Sequence, residues 1–168
     1  ISVGAGKNAI SISHIYNPEA MRFYSDIDTG MGSGWKLNVQ QYIIEKTIGK
    51  QSADTKRYYI DAAGYRHEFK DTPISGKIGV YQDVDGQGLI LYTRQTFGDK
   101  RNCFILKDGV DNYLVFDQSG KMIRLIFAPC DFLNLANERS IAVEYQDDKL
   151  LKVYDSGNEN VKVAFVYD

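Results

Sequence analysis

Cysteine, histidine, proline and tryptophan are all scarce in this chain: two, two, three and one in 168 residues. Each shortage removes a class of protein. Two cysteines, Cys103 and Cys130, are too few for a disulfide framework. A buried thiol suits Cys103 within Asn102-Cys103-Phe104-Ile105-Leu106, and a Cys103–Cys130 bridge stays open as the alternative for an extracellular protein. No apolar run approaches the roughly 20 residues that span a bilayer as a helix, so no membrane-spanning segment is expected. Neither charge sign dominates. Twenty Lys and Arg stand against 22 Asp and Glu, net −2, with no basic stripe on which nucleic acid could lie. The first residues, Ile1 to Lys7, hold neither an initiator Met nor a signal-peptide core, so the chain reads as a piece of a longer protein.

What is abundant is tyrosine and phenylalanine, twelve and eight, in a chain that is 43% apolar and 25% charged. That composition is globular, and the length suits one domain, residues 1–168. Tyrosine favours strands, where the ring packs on a half-buried pleat and the hydroxyl reaches water. The chain's one internal repeat is a strand ending in Asp, a turn at Gly, and a returning strand. Asp61-Ala62-Ala63-Gly64 and Asp117-Gln118-Ser119-Gly120 are its clearest copies; Asp83–Gly86 and Asp155–Gly157 are looser ones. Asp accepts hydrogen bonds from its own downstream backbone and Gly supplies the positive φ, so each copy predicts a hairpin.

Further strands are expected at Ala9–Tyr16 and along Trp35–Ile48, the latter with Trp35, Leu37 and Val39 on one face. Asn17-Pro18-Glu19-Ala20-Met21 predicts a helical start of one or two turns, and Pro129–Arg139 a loop or helical turn. The fold expected is all-β: an antiparallel meander of consecutive hairpins in a curved, twisted sheet, with at most one short helix.

Sites for chemistry are few. His14 and His67 have no Ser or Cys neighbour in a catalytic motif, and His67 alternates along a strand, so no catalytic residue is assigned. Asp83, Asp85 and Gln87 fall at the first, third and fifth positions of a calcium loop. However, Arg94 stands at the twelfth, where a bidentate Glu is needed, and the flanks read as strands. A turn accounts for them better, and neither metal nor cofactor is expected. The glycines around Gly32 and Gly34 lack the strand–turn–helix context of a phosphate loop. Trp35 is expected to be buried at a strand start. The functional alternative is a glycan-stacking platform of Trp35, Tyr58 and Tyr92.

Gly32-Ser33-Gly34-Trp35-Lys36-Leu37-Asn38, preceded by the strand Ile10 to Asn17, resembles the opening segment of bacterial RHS/YD-repeat proteins. The Asp-x-x-Gly turns, the stretch Ile141–Gly157 and the final Tyr167-Asp168 resemble the same family. The resemblance implies a secreted or surface-attached, cell-wall-associated bacterial protein, non-enzymatic over this stretch. In that family the repeats wind as a β-shell that can enclose a C-terminal toxin. Partners would be neighbouring repeats of the same polypeptide and, in the alternative, cell-wall glycan. The segment Asp131–Arg139 departs from the family's usual short turn, and the family's downstream core motif and self-cleaving aspartates do not occur in this sequence.

Overall fold

A computed structural model describes residues 1–18, 29–49 and 54–167. Its strands are β1 (Ser2–Val3), β2 (Ile10–Ser11), β3 (His14–Tyr16), β4 (Trp35–Leu37), β5 (Tyr42–Thr47), β6 (Thr55–Ile60), β7 (Arg66–Glu68) and β8 (Val80–Gln82). They continue as β9 (Ile90–Phe97), β10 (Lys100–Lys107), β11 (Tyr113–Phe116), β12 (Met122–Ile126), β13 (Ser140–Gln146), β14 (Lys149–Asp155) and β15 (Asn158–Ala164). Every pairing is antiparallel. β8 to β15 form one eight-stranded meander in sequence order, and β5–β6–β7 form a three-stranded sheet. β1–β2 and β3–β4 are two-stranded ribbons. The fold is all-β, as the hairpin rhythm predicts. Helical residues among those described are 3₁₀ turns, chiefly Gly6–Asn8 and Phe132–Asn137. The helix predicted at Asn17–Met21 lies outside the described residues beyond Pro18.

The two larger sheets are joined at both ends. Backbone bonds from Lys70 to Gln82, Ile74 to Val80 and Val84 to Glu68, with the bridge Phe69–Asp83, continue β7 into β8. At the far side, Ile43 N–H donates to Gly120 O at 2.8 Å and Met122 N–H to Gln41 O at 3.0 Å. The start of β5 therefore meets the β11–β12 turn. A ladder that runs from β15 to β5 and touches its own middle must curl, so the sheet winds over itself.

Alternation sorts each central strand into two cores. From β10 and β11, Phe104, Leu106, Leu114 and Phe116 face inward and pack with Ile43, Tyr59 and Phe69 of the covering sheet. Cys103, Ile105 and Val115 face the other way, beneath Leu135 and Phe132 of the 3₁₀ segment. Covered on both faces, β10 reads as a continuous apolar run rather than an alternating one. The 3₁₀ segment starts because Asp131 Oδ1 accepts the Leu133 N–H at 3.0 Å, an N-cap the sequence left open between loop and helix.

Two expected strands are divided. Ala9–Tyr16 splits into β2 and β3. Trp35–Ile48 breaks at Asn38–Gln40, where Leu37 N–H donates to the buried Gln40 Oε1 at 2.8 Å and Gln40 N–H to Leu37 O at 2.9 Å. A side chain that closes its own turn from inside leaves no periodicity to read.

Candidate functional site

The aspartates of the repeat act on their own backbone. In the Asp61 copy, Oδ1 accepts the N–H of Ala63 at 2.9 Å and of Tyr65 at 2.8 Å. In the Asp117 copy, it accepts Ser119 at 2.9 Å and Lys121 at 3.0 Å. A third copy emerges at Asp108, whose Oδ1 accepts Val110 and Asn112, both at 2.9 Å. Each Asp carbonyl also accepts the N–H three residues on, from Gly64, Asp111 and Gly120. That third position has positive φ in all three: 84°, 66° and 85°. Asp111 stands where the other copies have Gly, and Asp is among the few residues that tolerate this conformation.

The looser copies follow the same logic. Asp83 is buried, and its carboxylate accepts the amides of Gln87 and Leu89. Asp155, almost fully buried, accepts Gly157 N–H and takes two bonds from Arg139, from Nε at 3.0 Å and Nη2 at 2.5 Å. The hydrogen bond from Arg139 holds the Asp155 carboxyl below its ordinary value. Asp85 of the calcium-like spacing turns to His67. Among the described residues, no group of three or more His, Cys, Asp or Glu is placed to hold a metal ion.

His67 joins two turns. Its Nε2 meets Asp61 Oδ2 at 3.1 Å and its Nδ1 meets Asp85 Oδ2 at 2.9 Å, while the ring stacks on Tyr59 at 5.6 Å. Burial pulls its pKa down, but hydrogen bonds to the two carboxylates outweigh it and hold the imidazole above its ordinary 6.5. With both ring nitrogens engaged by carboxylates, neither faces a substrate, which is what a general base requires. Tyr59 donates to Gln41 Oε1, and burial pushes its phenol far up.

Beneath this clamp lies Lys36, fully buried. Its Nζ donates to the carbonyls of Asp61 at 2.8 Å, Gln40 at 3.1 Å, Ala62 at 3.1 Å and Leu37 at 3.4 Å. Desolvation lowers its pKa to about 8, opposed by the nearby Asp61 charge. The ammonium thus pins the Asp61 turn to the Leu37–Gln40 turn. Nothing in the local sequence marks this lysine; it sits in the Gly34-Trp35-Lys36-Leu37 stretch as an ordinary alternating residue.

The three aromatic candidates fall in three places. Trp35 is 43% exposed, against the expected burial, and leans on Tyr16, itself 56% exposed, with centroids 4.9 Å apart. Leu37 and Val39 enter the core, while Trp35 stands at the end of the narrow β3–β4 ribbon, opposite Tyr16. Tyr58 is half-buried under the Arg66 guanidinium at 4.9 Å. Tyr92 is half-buried against Phe132 at 4.8 Å, on the second core. No ring contact among the described residues links the three. Cys103 and Cys130 are both free thiols, with Cys103 buried.

Comparison with protein-family models, curated proteins and solved structures finds no match to this chain.

Proposed function

We propose that the chain is a non-enzymatic structural β-scaffold module of a secreted or cell-surface RHS/YD-repeat protein. In this reading it is one stretch of a shell enclosing a C-terminal toxin, and its partners are neighbouring repeats of the same polypeptide. The observation that carries it is the hydrogen-bond plan shared by the Asp61, Asp108 and Asp117 turns. Carboxylates bound to backbone amides build hairpins and are withdrawn from acid–base work. The wound ladder supports the same reading, because among the described residues β15 pairs only with β14 and so stands as an edge strand, the kind of edge that takes up a further strand. The test is limited proteolysis of the parent polypeptide, followed by hydrogen exchange. A scaffold module stays in one protease-resistant body with the segment after it, and the β15 amides are protected there. Release of this stretch as a separate, unaltered domain would refute the reading.

A second reading, a cell-wall glycan-binding module, is favoured by one observation: Tyr16 and Trp35 form an exposed ring pair. Trp35 is the chain's single tryptophan, so its fluorescence reports on that pair alone. A saturable change on adding soluble peptidoglycan fragments, lost in Tyr16→Ala, is the result this reading requires; a flat titration removes it.

A further inference from the structure

A cleft of about 680 Å³ separates the β5–β6 hairpin from the β8–β10 part of the long sheet. Two of its wall residues, Arg94 and Asn102, have a left-handed backbone, each with φ of 56°. Among the described residues the other non-glycine positions in this conformation, Asp111, Asp147 and Asp148, lie in hairpin turns that call for it. Arg94 and Asn102 instead lie inside β9 and β10, where a regular ladder would avoid the strain. The β9–β10 register slips on both sides of Cys103 to accommodate them. The consequence is visible on the wall. Thr93, Arg94 and Gln95 are consecutive yet all line the cleft, whereas a regular strand would turn every second side chain away.

Thr93 and Gln95 are tied to backbone carbonyls of Gly79 and Thr93, but three other polar groups on the wall are not used by the fold. Among the described residues, Arg94 has no ion pair, and neither the Asn102 nor the Gln118 carboxamide has a hydrogen-bond partner. Glu45 neutralises Arg57 through a 2.9 Å contact, leaving Arg94 as the uncompensated charge on the wall. A side-chain carboxamide presents one acceptor and a donor pair, matching the C=O and N–H of a peptide group, and a guanidinium suits a carboxylate. The aromatic rings, which would have to be open to stack on a sugar, are occupied. The Arg57 guanidinium covers Tyr81 at 4.0 Å, and Phe104 is buried.

We propose that this cleft binds a short extended peptide segment carrying a carboxylate, with Asn102 and Gln118 pairing its backbone and Arg94 its acidic side chain. The inference stands independently of the scaffold reading. Its test uses an immobilised array of N-acetylated hexapeptides bearing no, one or two glutamates, with soluble polygalacturonate and neutral oligosaccharides as the comparison. Retention should rise with glutamate count, and the best hexapeptide should shift the Asn102 and Gln118 side-chain amide NMR signals. Glycine adopts the left-handed backbone without strain, so Arg94→Gly and Asn102→Gly should leave Tm unchanged or raised while weakening that peptide about tenfold. A lowered Tm with peptide affinity unchanged would assign both side chains to the fold and overturn the proposal. Amide shifts with a saccharide and none with any hexapeptide would make it a sugar cleft, and no retention across the array would equally end it.

Discussion

The single residue that most shapes this chain's chemistry is Lys36. Burying an ammonium is costly unless its three protons find acceptors, and here four carbonyls surround it. At neutral pH it remains charged, because its pKa is about 8. The unfolded chain holds the same proton up to the ordinary 10.5. Between those values the unfolded state binds more protons than the folded one, so stability rises with pH across that window. Below about pH 8 the full cost of burying the charge is present, on the order of 3 kcal/mol. Denaturant unfolding at several pH values from 7 to 11 should therefore show a gain in wild type that disappears in Lys36→Met. Other groups titrate in this range, so the difference between the two proteins is the measurement. Parallel curves would mean that the amine is not buried as described.

At the scale of elements, His67 adds a side-chain clamp between the Asp61 turn and the Asp83–Gly88 loop, beside the backbone bonds that continue β7 into β8. Its raised pKa stabilises fully below the ordinary 6.5, and that contribution is lost as pH rises through the higher folded value. The Asp85 carboxyl is lowered: burial opposes this, and the His67 hydrogen bond outweighs it. Its contribution is present above the ordinary 3.8 and fades as pH falls through the lowered value. The clamp is thus strongest between about pH 4 and 6.5. His67→Gln should cost about 1–2 kcal/mol at pH 5.5 and much less at pH 8.5, read from urea midpoints. Equal losses at both pH values would show that the charge does not matter. The hairpins themselves were legible in the sequence, because Asp and Gly act locally and leave a local signature. The Asp61 and Asp117 turns and the β13–β14–β15 meander follow from it. The clamp was not legible, since His67 and Asp85 are brought together only by the β7–β8 continuation, and Asp85 had an alternative reading as part of a calcium-like spacing. Nor does the sequence announce the β9–β10 hairpin at Gly98-Asp99 or the bulges that put Arg94 and Asn102 on one wall. Nothing periodic announces a bulge, and both residues look like ordinary polar strand positions.

For the whole molecule, the decisive contact is where the ladder meets its own middle. Gly120 closes the β11–β12 turn with φ of 85° and also offers its carbonyl to Ile43 at 2.8 Å. A Cβ on Gly120 would drive into the Ile43 carbonyl oxygen, which is backbone and has nowhere to move. One residue therefore serves a local turn and the closure of the wound sheet together. Gly86 is the natural comparison, because it has φ of 72° with nothing within 4 Å of its would-be Cβ. Gly86→Ala should carry only the backbone strain, about 1 kcal/mol. Gly120→Ala adds a broken inter-sheet bond and a displaced β5, and should cost about 3 kcal/mol or more. Hydrogen exchange separates closure from turn: in Gly120→Ala the Ile43 and Met122 amides should lose protection while those of β13 and β14 keep theirs. If the two alanines cost the same, or if Ile43 and Met122 stay protected, the three-stranded sheet is held down by its apolar face alone. In that case Ile43, Tyr59 and Phe69, packed on Phe104 and Phe116, would be sufficient to wind the sheet, and the Gly120 junction would only follow from it.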